Sequence, residues 1–283
     1  MVSTRTGQTT GKPPQLERRT LGPRLSVSLF GAASWRIVER NFLVYKRSWV
    51  VFAAGMIEPV LYLLSIGVGV GGLVGDFTLD DGSTVGYVEF VAPAMLATSA
   101  MTGAMYDSTF NIFFRLKYAK LYDAMLATPI KPTDVARGEI TWALLRGAIY
   151  SAAFIVVMLC MGLVQSWWML LAWPATVLIG FGFAGAGMAL TTFMRTWQDF
   201  EYIELAITPM FLFSGTFFPL STYPPVIQTI VQWTPLYQCV VLCRDLTLGT
   251  PGSECIVAVV YLLTMGLVGK YVAGRRIATL LLK

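Results

Sequence analysis

Six long apolar stretches constrain this chain more than any other feature of its sequence. A helix that crosses about 30 Å of hydrocarbon needs about 20 mostly apolar residues. Stretches close to that length lie at residues 50–73, 90–114, 140–164, 168–194, 202–219 and 256–272. With 55% hydrophobic and only 13% charged residues, the composition lies outside the usual range of soluble domains. The sequence therefore predicts an all-α polytopic membrane protein with six transmembrane helices within residues 50–283.

Lysine and arginine residues lie mostly on one side of the predicted spans. Nearly all 21 of them are found before span one, between spans two and three, between spans four and five, or at the C-terminal end. Basic residues in short loops favour the cytoplasmic side of a membrane. Both termini are therefore predicted to be cytoplasmic, and the acidic loop with Asp76, Asp80 and Asp81 is predicted to face outward.

The region before span one divides into two parts. Residues 1–24 are rich in threonine, proline, glycine and charge and contain no apolar signal-peptide segment, so a disordered cytoplasmic tail is predicted. Residues 25–49 are predicted to form an interfacial amphipathic helix, because aromatic and arginine side chains would fall on different sides of it. A simple extension that anchors the topology is the alternative. The proposed interfacial residues are Trp35, Arg36, Arg40, Phe42 and Arg47.

The loop between spans two and three is long for a simple connector. Its residues 115–134 begin with a helix-compatible segment, which Pro129 and Pro132 would end. The apolar and aromatic side chains of this short cytoplasmic helix would either dock on a partner or fold back on the helices of the same chain.

Charged residues lie inside the first three predicted spans. Glu58, Asp107 and Arg146 come at similar depths, and charges at such depths usually pair with one another inside a helix bundle. Asn111 and Arg115 follow Asp107 at four-residue intervals, which places them on one face of an ideal helix. The set predicts a polar clamp between helices or a polar lining for a substrate path, and its charge balance favours the clamp.

Span four contains small residues at helix-packing spacing. In the segment GFGFAGAGMAL, Gly180 and Ala184 are four residues apart, as are Gly182 and Ala186. Such stripes let helices approach closely. Packing within the chain is favoured over packing between two copies.

The segment at residues 220–250 is predicted to enter the membrane from the outer face and return. Two helical candidates at residues 224–231 and 235–246 each begin with proline, which suits a first helical turn. The longer would be only about 18 Å in length, too short to cross a bilayer. Nearby aromatic side chains could form an outward gate or simply anchor the segment at the interface. They are Phe217, Phe218, Trp233 and Tyr237.

The sequence also argues against several other functions. It contains no histidine, its four cysteines follow no metal-ligand spacing, and no metal site is predicted. Basic residues flank apolar stretches rather than alternating with aromatics, so no nucleic-acid partner is expected. Whether Cys239, Cys243 or Cys255 form a disulfide is left open. The chain has no GxxxxGK[ST] phosphate loop, so any ATP chemistry is expected on another polypeptide, and a transport role is favoured over an enzymatic one.

The order of these parts resembles the type-2 ABC exporter permeases, in particular the branch with the nodulation lipo-oligosaccharide and daunorubicin-type drug export permeases. The resemblance runs from about residue 35 to the C-terminus. The segments that carry it are EPVLYLLSIGVGVG, YAKLYDAMLATPI, GEITWALLRG and FSGTFFPLSTYPPVIQTIVQWTPLYQCVVLCRDLTLG. The longer polar tail at the N-terminus is the main departure from the family.

The resemblance implies a permease in a bacterial inner membrane that pairs with a second copy or paralogue and with two ATP-binding subunits. ATP and magnesium would bind to those subunits, and this chain would hold no cofactor. The substrate would be amphipathic: a lipid-linked glycan, a glycolipid or a hydrophobic drug. The coupling residues would be Lys120, Leu121, Tyr122, Asp123, Ala124 and Met125. The alternative function is an ion-coupled secondary carrier that uses Glu58 and Asp107.

Overall fold

The computed structural model describes residues 32–47, 49–75, 77–78, 84–164 and 166–281. The predicted tail, and the interfacial segment before residue 32, lie outside the described residues. The side chains of Glu58 and Asp123 also lie outside the described part, although their backbones belong to helices.

Helices account for most of the described chain. They are α1 Ala32–Arg47, α2 Trp49–Gly69, α3 Tyr87–Tyr106, α4 Ile112–Lys117, α5 Leu121–Leu126, α6 Pro132–Cys160, α7 Met169–Thr191, α8 Asp199–Phe213, α9 Pro225–Gln232, α10 Pro235–Leu248 and α11 Ser253–Leu281. A π-helical segment, Asp107–Asn111, joins α3 to α4, and a 3-10 turn, Leu220–Thr222, precedes α9.

One small element departs from the all-α prediction. Strands β1 Phe77–Thr78 and β2 Thr84–Val85 pair antiparallel, with Phe77 opposite Val85. They lie in the loop that is predicted to face outward. The fold is otherwise helical in the described residues, as the apolar stretches predict.

Four helical stretches in the described part are long and apolar enough to cross a membrane. They are Tyr87–Lys117, Pro132–Cys160, Met169–Thr191 and Ser253–Ile277. Helices α9 and α10 are bent by 84° to each other and would make a fifth span if they are counted as one. The chain is therefore a multi-pass membrane protein with four or five candidate spans, and the assignment of α2 and α8 as spans stays a prediction.

The fifth predicted stretch forms a shorter helix than its apolar length suggests. Helix α8 has 15 residues, about 22 Å at the usual rise, and ends at Phe213 rather than at residue 219. Gly215 follows with a φ of 71°, a left-handed conformation that glycine adopts without steric cost. The chain therefore turns out of the helix before the apolar run ends.

Helices α7 and α11 pack closely because glycines meet at their contact. A Cβ placed on Gly185 would lie 2.6 Å from the carbonyl oxygen of Gly266, and one placed on Gly269 would lie 2.6 Å from the backbone nitrogen of Ala186. Gly182 faces Met265 in the same way. Glycines of span four thus serve packing within the chain, the interpretation that the sequence favours.

This contact predicts different outcomes for two glycine substitutions on α11. Gly269→Ala should destabilise the protein by about 1–3 kcal/mol, because the added methyl group overpacks two backbones. Gly274→Ala should be neutral or stabilising, because a Cβ placed on Gly274 has no atom within 4 Å and alanine favours helix more than glycine does. Thermal unfolding of the two detergent-purified variants measures the difference, and equal transition temperatures would contradict the close contact.

Candidate functional site

A buried carboxylate lies at the point where four helices meet. Glu139, in α6, has a side chain that is only 3% exposed. Its Oε2 atom is 2.5 Å from a guanidinium nitrogen of Arg115 in α4, and its Oε1 atom is 3.2 Å from one of Arg40 in α1. The Glu139 side chain therefore links α6 to both α1 and α4.

Two neutral groups complete the surroundings of Glu139. The amide of Asn41 donates a hydrogen bond of 3.0 Å to Oε2, and the hydroxyl of Tyr122 in α5 donates one of 3.3 Å to Oε1. Burial, followed by the nearby Glu139 charge, raises the pKa of the Tyr122 phenol well above its usual range, so the hydroxyl remains a neutral donor. We call Glu139, Arg40, Asn41, Arg115 and Tyr122 the Glu139 cluster.

The Glu139 cluster depends most on its single carboxylate. Two guanidinium groups with side-chain exposures of 28% and 17% share that carboxylate. Removing Glu139 leaves both without a partner, and the loss of one partner of a buried ion pair costs about 3–5 kcal/mol. The cluster can therefore hold α1, α4, α5 and α6 in one fixed arrangement.

A second cluster surrounds Asp107. Its Oδ1 atom is 2.6 Å from a guanidinium nitrogen of Arg146 and accepts a 2.7 Å hydrogen bond from Asn111. Arg146 also donates bonds of 3.0 Å to the hydroxyls of Tyr45 and Tyr150. Three members of the predicted polar cluster are thus in contact, whereas the side chain of Glu58 lies outside the described part.

Arg115 forms its ion pair with Glu139 rather than with Asp107. Between Asp107 and Arg115 lies the π-helical segment Asp107–Asn111, whose wider turn contains one residue more than an α-turn. The hydroxyls of Ser108 and Thr109 bond to the carbonyls of Ala104 and Met105, and so stabilise the irregular turn.

The predicted coupling residues divide between an inner and an outer side of α5. Tyr122 is 1% exposed, and in this conformation its bond to Glu139 turns it into the chain and away from any partner. Leu121 and Met125 are half-buried, and Met125 lies next to Arg40. Lys120 and Ala124 are exposed.

Lys120 determines where α5 begins. It has a φ of 45°, which is uncommon for a residue other than glycine. This left-handed residue forms the turn between α4 and α5, directly before Leu121, and its side chain is exposed.

Helix α1 presents Trp35 and Phe42 outward, whereas its third aromatic side chain, Tyr45, packs inward against Trp142. Trp35 and Phe42 are 57% and 56% exposed, and Arg36 and Arg47 are exposed as well. Arg40, unlike Arg36 and Arg47, is partly buried, because its ion pair with Glu139 directs its side chain toward the other helices.

The predicted gate residues do not form one cluster. Trp233 and Tyr237 line a common cavity of about 330 Å³ between α9, α10 and α11. Phe217 instead packs edge-on against Phe211, with ring centres 5.2 Å apart, and Phe218 is 49% exposed.

Arg244, a residue that the sequence did not suggest for this role, fixes the turn that follows α8. Its guanidinium lies 3.7 Å from the centre of the Phe90 ring and donates a 2.8 Å hydrogen bond to the carbonyl of Gly215. The nearby thiols of Cys239, Cys243 and Cys255 are free and buried. The contact of Arg244 with Phe90 of α3 therefore helps to position the turn at Gly215.

The Glu139 cluster has no direct signal in the sequence. Glu139 directly precedes the third apolar stretch, where a carboxylate could equally face water. A usable signal was the opposite charges of Arg115 and Glu139 on the two sides of the 115–134 loop, since the flanks of a helical hairpin come together. Asn41 carried no comparable signal.

Comparisons with known proteins agree on one family. The model of the family described as ABC-2 type transporter matches residues 33–247. Nodulation protein J of Rhizobium leguminosarum bv. trifolii is 33% identical over 241 residues, which cover 81% of this chain and 90% of that protein. Nodulation protein J of Rhizobium leguminosarum bv. viciae is 32% identical over 87% of this chain and 96% of its own length. The inner membrane transport permease YadH of Escherichia coli K12 is 23% identical over 74% of this chain and 80% of its own length.

The ion pair between Arg115 and Glu139 predicts energetic coupling. In a double-mutant cycle of Glu139→Gln and Arg115→Gln, the free energies of unfolding should be non-additive by about 1–3 kcal/mol, because the two side chains are in contact. Unfolding by SDS titration in mixed micelles gives the four values needed.

A matched cycle of Glu139→Gln with Arg137→Gln provides the control. Arg137 is exposed on the same helix, and residues two apart do not face each other. Its coupling should be near zero. Equal coupling in the two cycles would mean that the Glu139 cluster makes no specific contribution.

Proposed function

Since the chain belongs to the ABC-2 type transporter family, we propose that it is the permease subunit of an ATP-driven exporter. The family implies an ABC ATP-binding subunit as partner. We propose two copies of that subunit, which bind ATP and magnesium, and two permeases, identical or paralogous. This chain performs no ATP chemistry of its own in this assembly.

The Glu139 cluster is the observation that carries the proposal. Helix α5 is only six residues long. The ATP-binding subunit docks on its exposed side, at Ala124 and the preceding Lys120. On the inner side, Tyr122 bonds to the same carboxylate that pairs with Arg40 and Arg115. A displacement of α5 by the partner therefore moves α1, α4 and α6 with it.

The weakly packed helix α8 supports pairing with a second permease. No residue of Asp199–Phe213 is buried, and Tyr202 and Leu205 are 72% and 70% exposed. A span that lies against its own chain so loosely gains packing from a second copy or a paralogue. The substrate path then runs between the two permeases.

The substrate we propose is amphipathic: a lipid-linked glycan, a glycolipid or a hydrophobic drug, moved out of the cytoplasm or the inner leaflet. Two relatives named nodulation protein J support this class through the family resemblance. The contact with Arg146 already balances the Asp107 carboxylate, which disfavours the alternative of an ion-coupled carrier. The relative named inner membrane transport permease, together with the basic flanks, supports an inner-membrane location with both termini in the cytoplasm.

A bulky side chain on the outer side of α5 should disrupt the assembly. We expect Ala124→Trp to reduce the ATP-binding subunit that co-purifies from native membranes, and its ATP hydrolysis, by at least about tenfold, as for a packed interface contact. Val226→Trp is the control, because Val226 is exposed on α9, far along the chain from α5. Thermal unfolding should be similar for both variants.

Two other outcomes would reject the proposal. If no ATP-binding subunit accompanies the unaltered chain, the exporter assembly fails. If the subunit co-purifies equally with Ala124→Trp, its docking on the exposed side of α5 fails.

The aromatic side chains after α8 make a prediction for transport. If Phe217 and Phe218 form an outward gate, Phe218→Ala should change export or passive leak several-fold, because an exposed ring at the path is removed. Phe217→Ala should also lower stability, since it loses the ring contact with Phe211. Uptake and release of a fluorescent amphiphile by vesicles measures both variants, and unchanged rates at normal expression would remove the gate.

A further inference from the structure

Helices α7 and α11 leave an apolar groove of about 620 Å³ on one side of their contact, within the size range of small-molecule sites. Its walls include Leu190 and Phe193 from α7 and the turn after it, and Val268 and Val272 from α11. Hydroxyls in its lining are already engaged: that of Thr264 donates to the carbonyl of Val260, and that of Tyr261 to the carbonyl of Trp233. The groove therefore suits an aliphatic chain rather than a polar solute.

The length of the groove fits one leaflet of a bilayer. Its α11 wall runs from Tyr261 to Val272, about 16 Å at the helical rise. Half of the hydrocarbon thickness is about 15 Å. Both walls belong to candidate membrane spans, Met169–Thr191 and Ser253–Ile277, so the groove faces lipid at that depth.

Positive charge lies at one end of the groove. On α11, Arg275 and Arg276 come three and four residues after Val272, which lines the groove. Residues at these spacings share a helix face, so the two arginines continue the groove side of α11. The Arg276 guanidinium lies 3.7 Å from the centre of the Phe193 ring, and Phe193 lines the groove. The buried Nε atom of Arg276 has no hydrogen-bond partner among the described residues.

From this charge complementarity we propose that the groove binds one anionic phospholipid of the leaflet that faces the C-terminal end of α11. One acyl chain lies along α7 and α11, and the phosphate lies on Arg276 and Arg275. Guanidinium groups match phosphate oxygens with paired hydrogen bonds, and basic sites between membrane helices bind anionic headgroups in this way. In the orientation proposed above, this is the cytoplasmic leaflet.

Native mass spectrometry of the full chain tests the site. The protein is released from micelles that contain equal amounts of phosphatidylglycerol and phosphatidylcholine, and the retained lipid is counted. We expect one retained lipid per chain, with phosphatidylglycerol at least fivefold in excess.

Two pairs of variants distinguish binding of the acyl chain in the groove from binding of the headgroup at the arginines. Val268→Trp fills the groove and should reduce retention of both lipids several-fold, whereas Leu267→Trp should not. The two residues are neighbours on α11 and are each 57% exposed, but only Val268 lines the groove.

The second pair removes charge and leaves the residues of the apolar walls themselves unaltered. Arg275→Gln with Arg276→Gln should bring the two lipids to equal retention. Lys131→Gln with Arg137→Gln removes the same charge from exposed positions at the start of α6 and should keep the fivefold preference. Thermal unfolding checks that each variant is folded.

The outcomes are decisive in either direction. Equal retention of both lipids by the unaltered chain, or full retention by Val268→Trp, overturns the proposal. So does a change of oligomeric state in Val268→Trp with unchanged lipid, which would make the groove a contact between copies. None of these readouts depends on ATP or on the partner subunit, so the site can fail while the proposed exporter function stands.

Discussion

The buried side chain of Glu139 is the contact on which the placement of four helix ends depends. A buried carboxylate is unfavourable unless positive groups and hydrogen-bond donors surround it. Here those groups come from α1, α4 and α5, of which α1 and α5 are too short to cross a bilayer. Helices α1, α4 and α5 are therefore positioned together on α6. Their mutual placement follows from one electrostatic requirement.

The rest of the bundle differs in how firmly its helices are attached. Helices α7 and α11 meet through glycine backbones, a contact that leaves little room for sliding and behaves as one rigid unit. Helix α8 has no buried residue and depends on Arg244, through the Gly215 carbonyl, for the position of its end. Under the proposed transport function, the α7–α11 pair is a fixed frame against which α8 can move.

Signals within short stretches of the sequence predicted where several helices begin, whereas contacts between segments far apart in the sequence were harder to predict. The prolines at 225 and 235 fixed the starts of α9 and α10, which the sequence placed at nearly the same residues. The pairing of Asp107 with Arg146 could be predicted because charges inside apolar stretches have few other partners. The roles of Glu139 and Arg244 could not, since each depends on elements that meet only in the folded chain. The end of α8 was missed because apolar composition continues through the left-handed turn at Gly215.

The π-helical segment Asp107–Asn111 has a consequence for how this region can vary in length. It acts as a one-residue insertion in an otherwise regular helix, and its wider turn takes up the added residue. The helix after it therefore keeps the direction that it would have with one residue fewer. A homologous chain that lacks one residue here can form a regular helix and still direct its arginine toward Glu139. The segment thus allows the chain length to change by one residue without changing which charges meet.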